Sequence, residues 1–127
     1  MNKQGLSPGV ITTQKAGAGL KLVQICSPYR GNVRLNTLSA QRYCQFAYSQ
    51  GVIPFAPHLH NTQFLDESIR EEREAGIRMG IEMLGRCDEL WVFGGLFTEG
   101  MEMEIKTALR MKKPVRCFTN GCEEVTK

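Results

Sequence analysis

The sequence predicts a three-layer α/β sandwich on a mainly parallel sheet of four to five strands. Three observations lead there. Four short apolar runs, KLVQIC (21–26), GVIPFA (51–56), DELWVFG (88–94) and PVRCF (114–118), read as buried strands. The segments between them carry apolar residues at helical spacing. Strands alternating with amphipathic helices are the signature of parallel β-α-β units, whose right-handed crossovers cover both faces of the sheet.

KLVQIC stops at Ser-Pro, and the loop SPYRGNVR (27–34) follows. Residues 36–50 read as a helix: Leu38, Tyr43, Phe46 and Ala47 recur at roughly helical spacing, and Gly51 stands where a C-terminal stop belongs. After the second strand, PHLHNTQFLD (57–66) reads as a polar loop, with Asp66 the expected N-cap of a long helix over 67–86. That helix has the stripe Ile69, Arg73, Gly76, Ile77, Gly80, Ile81 and Leu84. Arg73 on this stripe reaches a cleft or a partner, or snorkels. Gly76 and Gly80 allow close approach of another helix or of the chain's own sheet. GGLFTEG (94–100) reads as a turn, 101–112 as the last helix, and the residues after Asn120 as an end cap. Residues 1–20 read as a flexible arm and 21–127 as one domain.

The 127 residues suit one compact domain, and 42% hydrophobic content is enough for a core. No stretch approaches the roughly 20 apolar residues of a membrane span, and the first twenty residues lack the apolar centre of a secretory signal, so the expectation is a cytoplasmic protein without a membrane partner. Five widely spaced cysteines without a Cys-x-x-Cys pair read as reduced thiols rather than a zinc site. Charge is unevenly spread. Lys3, Lys15, Lys21, Arg30, Arg34 and Arg42 all precede the first acid, Asp66; thirteen acids and ten Lys or Arg follow from there. The basic residues are dispersed rather than clustered with aromatics, which argues for a small anionic ligand and against a nucleic-acid polymer.

Ligands of parallel sheets bind beyond the carboxyl ends of the strands. Three loops collect there: 27–34, 56–66 and 94–100. In the first, Ser27 and Arg30 are able to hold an anion, and Gly31 lets backbone approach it. In the second, His58 and His60 lie two apart and would point the same way on an extended segment, but no carboxylate or thiol stands nearby at ligand spacing, so no metal is expected. In the third region, Glu102 has Lys106 four residues on, an order that favours a surface pair. Glu104 has no local partner. An unpaired carboxylate in the first turn of a helix at the ligand edge is a candidate nucleophile or base, although all three glutamates of TEGMEME also suit the positive end of a helix.

These residues, in the order SPYRGN, GVIPFAPH, CDELWVFGG and TEGMEMEIKTALRMKKPV, resemble the nucleoside 2-deoxyribosyltransferase superfamily, nearest its small phage and bacterial members, over roughly residues 21–118. The resemblance implies a flavodoxin-like or Rossmann-like fold, a homodimer or larger assembly, no metal or organic cofactor, and a nucleoside or nucleotide as partner. It implies that Glu104 is the nucleophile. CSPYRGN is similar to the Gly-Ser-Ile-Arg-Gly loop of deoxynucleoside 5′-monophosphate N-hydrolases, which implies phosphate contacts from Ser27, Arg30 and Gly31 and places Tyr29 beside the sugar. Asn32, His58, Gly94, Gly95 and Gly100 complete the expected substrate contacts. His58, Tyr29 and Asp66 are candidates to serve the departing base. Gly94 and Gly95 stand where the transferases carry an acid after the third strand, and Thr98-Glu99-Gly100 departs from the usual Gly-Thr before the glutamate. Three classes of function follow: an N-glycosidase, a non-catalytic nucleotide-binding module, and an interaction domain using the Gly76/Gly80 face.

Overall fold

A computed structural model describes residues 19–126; all but the last two residues of the expected arm over 1–20 lie outside them. The elements run β1 (Leu22–Cys26), α1 (Val33–Ser49), β2 (Ile53–Phe55), a single turn α2 (Pro57–His60) continued by a 3-10 turn (Asn61–Gln63), α3 (Arg70–Leu84), β3 (Glu89–Phe93), α4 (Glu99–Arg110), β4 (Val115–Phe118) and β5 (Glu124–Val125). The sheet order is β2-β1-β3-β4-β5. The first four strands are parallel, and β5 adds antiparallel to β4. This is a flavodoxin-like α/β fold, and its strand order reverses between β1 and β3.

Strand alternation sorts the core into two halves. Val23, Ile25, Trp91, Phe93 and Phe118 point to one face, where α1 covers them with Tyr43, Phe46 and Ala47. Cys26, Leu90 and Val92 point to the other, where Leu84 of α3 and Met101 and Ala108 of α4 complete the packing. The first half is aromatic. Tyr43 stacks on Phe93 with ring centroids 4.4 Å apart, and Phe93 on Phe118 at 4.8 Å. The second half is aliphatic and thiol-rich.

Helix ends follow local chemistry. Asn32 Oδ1 accepts from Leu35 N at 3.1 Å and starts α1; Gly51 ends it at φ +86°, a left-handed value that costs glycine little. Thr98 caps α4 by accepting from Met101 N at 3.2 Å, so the helix begins two residues before its expected start and takes in Glu99 and Gly100. Asp66 does not cap α3. Its Oδ1 accepts from Ser68 N and Oγ, a local turn that delays the helix to Arg70, with Ile69 at the cap and no side-chain bond there. The stretch expected as a polar loop contains α2 because Pro57 sits at a first-turn position, where its missing N–H is not needed. The five cysteines are free thiols, with Cys26 and Cys87 buried. No helix among the described residues is long and apolar enough to cross a membrane.

Candidate active site

The reversal point between β1 and β3 forces the chain out of the sheet in opposite directions, to α1 on one side and α4 on the other, and a cleft opens there. It has a volume of about 350 Å³. Tyr29 and Arg30 from the loop after β1, Pro57, His58 and Asn61 after β2, Arg73, Gly76 and Ile77 of α3, and Thr98, Gly100 and Glu104 of α4 line it. Of the residues singled out in the sequence, Tyr29, Arg30, His58, Arg73, Gly76, Gly100 and Glu104 meet on its walls.

The others lie close by but off the wall. Ser27 is buried beneath it, and its main chain hydrogen-bonds the His58 ring. Gly31 is exposed at φ +99°, a turn conformation that leads into α1. Asn32 spends its amide oxygen on the α1 cap. Gly94 lies at φ +98°, a left-handed turn conformation that favours glycine. Gly95 is exposed. Asn36 Nδ2 donates to the carbonyls of Tyr29 and Arg30, both at 3.0 Å, and fixes the first loop to α1.

Glu104 is half-buried on the cleft wall, while Glu102 is exposed and, among the described residues, makes no ion pair with Lys106. Glu104 Oε1 accepts from Gln24 Nε2 at 3.5 Å. Its Oε2 lies 3.8 Å from where a Gly80 Cβ would be, an ordinary contact distance that puts α3 directly against the carboxylate. Burial pushes the Glu104 carboxyl up to about 7, against hydrogen bonds from Gln24 and Cys26 that pull it down. Gly76 faces Leu65 and Asn61. The small-residue face of α3 is thus occupied within the chain.

Burial pushes the His58 ring down to about 4, partly offset by its bond to the Ser27 main chain, so the ring is neutral near pH 7. Tyr29 stacks on it, centroids 5.0 Å apart and planes at 23°. Because 57–60 is helical, His58 and His60 diverge: His60 is exposed, its Nδ1 paired with Asn61 Oδ1 at 2.9 Å. Asp66 borders a separate, shallow hollow. Hydrogen bonds from Ser68 hold its carboxyl below the usual range.

The cleft carries both signs of charge. Arg30 and Arg73 meet Glu67, Glu74, Glu99 and Glu104 on its walls. The sequence pointed to an anion-attracting N-terminal half; folding brings the acids of α3 and α4 onto the same cleft. Gln24 went unnoticed in the sequence. It is fully buried and contacts Glu104, and its signal was a lone amide inside an apolar strand.

Fold and cleft define a doubly wound α/β protein with a carboxylate at its strand-order reversal. Residues 21–118 match the family described as Domain of unknown function (DUF7768), and the chain belongs to that family. Among solved structures it is similar to a 2-deoxyribosyltransferase from the psychrotolerant bacterium Bacillus psychrosaccharolyticus, with a TM-score of 0.60 and 18% sequence identity over 84% of this chain and 77% of that one. At this identity the likeness is one of fold. No curated protein matches the chain.

Proposed function

We propose that the chain is an N-glycosidase that removes the base from a nucleoside or its 5′-monophosphate, with Glu104 as nucleophile. The observation that carries this reading is the setting of Glu104: a half-buried carboxylate on the wall of the switch-point cleft, pushed up to about 7 by burial and held by neutral hydrogen-bond donors. A carboxyl perturbed by burial in a cleft is a candidate for chemistry. The solved structure of similar fold is described as a 2-deoxyribosyltransferase, which supports the same reaction class.

In the proposed reaction a Glu104 oxygen attacks C1′ of the sugar. The C1′–N bond breaks and its electron pair leaves with the base, which takes a proton from water. The positive charge that builds on the sugar is stabilised by the nearby carboxylate and then captured as an ester. Water attacks C1′ of that ester, freeing the sugar and restoring Glu104; a second base in place of water gives transfer. His58, neutral and stacked on Tyr29, supplies a hydrogen bond and an aromatic face rather than a cationic acid. Arg30 and Arg73 supply the contacts for a phosphate, when present. The reading carries with it a cytoplasmic homodimer or larger assembly, for which the exposed Leu96 and Phe97 before α4 offer apolar surface, and no metal or organic cofactor.

The test is release of free base from deoxynucleosides, ribonucleosides and their 5′-monophosphates, followed by chromatography. Base is released from one of these classes, with kcat/KM rising as pH rises through about 7 as Glu104 ionises. Glu104→Ala lowers the rate by at least about a thousandfold without unfolding the chain. Ligand-induced thermal stabilisation with no base from any substrate would instead make the chain a binding module, the alternative that Gly94 and Gly95 favour.

A further inference from the structure

We propose that Gln24 is a positioning residue for Glu104: its side-chain amide binds one oxygen of the carboxylate and keeps that carboxylate ionised without neutralising it. The proposal builds on Glu104 as the nucleophile.

Gln24 lies in the middle of β1, between Val23 and Ile25, and is fully buried. An amide in that place costs several kcal/mol unless its polar atoms are satisfied, roughly the penalty for burying an unbonded amide. An apolar residue of similar length would pack the strand without that penalty. Every bond the amide makes points to the α3/α4 face. Nε2 donates to Gly80 O at 3.1 Å and to Glu104 Oε1 at 3.5 Å. Oε1 accepts from the Cys87 thiol at 3.6 Å.

The orientation of the amide follows from these partners. A main-chain carbonyl only accepts, and the thiol is here the donor, so Gly80 and Cys87 together turn the nitrogen toward Glu104. The reversed amide would set its oxygen against both the Gly80 carbonyl and the carboxylate. The partners on α3 and just beyond it thus present an N–H to the carboxylate before any substrate arrives.

The remaining groups around Glu104 do not do this. The Cys26 thiol of β1, which donates to the Met101 carbonyl at 3.9 Å, favours the charged form only as a weak donor nearby. His58 of α2 is neutral. Tyr29 and Arg30 of the first loop, Glu67, Arg73 and Glu74 at and on α3, and Glu99 at the start of α4 line the cleft, and Glu104 forms no ion pair with either arginine among the described residues. A cation bonded to Glu104 would lower its pKa further, but would oppose the positive charge developing on the sugar. A neutral amide favours the ionised form without that opposition.

The test reads Glu104 directly. The protein is labelled with glutamate carrying 13C in its side-chain carboxyl and titrated by NMR; the Glu104 resonance is the one missing from Glu104→Gln. The wild-type midpoint is near 7. Gln24→Met, close in length and without donors, raises it by about one unit, the typical effect of losing a hydrogen bond to the charged form. Cys87→Ala leaves the amide oxygen without its donor, loosens the hold on the amide and raises the midpoint by less. In base release at pH 7, Gln24→Met lowers kcat about tenfold with KM unchanged, and raising the pH restores part of the rate. A role confined to packing would lower the melting temperature and leave the midpoint in place. An unchanged midpoint in Gln24→Met, or in Cys87→Ala should Gln24→Met not fold, overturns the proposal. Titration needs no turnover, so a chain that releases no base would remove the N-glycosidase reading while the role of Gln24 is decided separately.

Discussion

Two glutamates at opposite edges of this sheet, one buried and one half-buried, have opposite fates. Glu89 opens β3 at the amino edge and is 7% exposed. Burial works to raise its pKa, but Lys21 Nζ at 2.7 Å and Trp91 Nε1 at 2.8 Å donate to its two oxygens and hold the carboxyl below its usual range. Arg116 lies over the Trp91 ring at 4.7 Å and adds to that field. Glu104 stands at the carboxyl edge with neutral donors, and its carboxyl rises to about 7. The same side chain is a paired structural brace at one edge and a carboxylate without a cationic partner, among the described residues, at the other. The difference lies in what the neighbours neutralise.

That contrast breaks most visibly at the brace. Glu89→Leu leaves the Trp91 N–H buried without its acceptor and strips Lys21 of its partner, and destabilises the fold by about 3 kcal/mol, the cost of an orphaned buried donor together with a lost charged partner. Urea unfolding at pH 7 measures it, and base release by the folded fraction is unchanged.

A smaller effect sharpens the reactive side. Gly80 sits inside α3, and a methyl there would meet Glu104 Oε2 at 3.8 Å and Pro57 Cγ at 3.9 Å, ordinary contact distances. Gly80→Ala therefore stabilises the helix by about 1 kcal/mol. The same methyl dries the carboxylate, so base release at pH 7 falls several-fold. A variant gaining both stability and rate would contradict the account of why this position is glycine.

Much of this was legible in the sequence, for physical reasons that differ by element. The four parallel strands stand out because strands buried on both faces become continuous apolar runs, and the observed strands lie inside the expected ones. Helix α2 was hidden because one turn is too short to show a period. Strand β5 has two residues, too few to carry alternation. The start of α3 was misplaced because Asp66, a good cap by type, spends its oxygen on Ser68. Within the cleft, Glu104 could be singled out by the lack of a partner along its own helix. Glu67, Glu74 and Glu99 could not, because only the tertiary fold turns them toward the same space. His58 was visible as a residue but not as a neutral one, since its burial comes from elements distant in sequence.

Glu104 is kept in a place where its charge is unfavourable. The folded chain binds its proton more tightly than the unfolded chain does, with a carboxyl at about 7 against an ordinary value of 4.5. Stability therefore falls as pH rises through that window, and the loss is complete above it. Glu104→Gln removes the charge and keeps the shape. The most direct measurement is the melting temperature of Glu104→Gln beside the unmutated chain at pH 4 and pH 8. Nearly equal values are expected at pH 4, and a variant more stable by roughly 5 °C at pH 8. A variant equally or less stable at pH 8 would show that Glu104 is another structural brace, and would contradict the account.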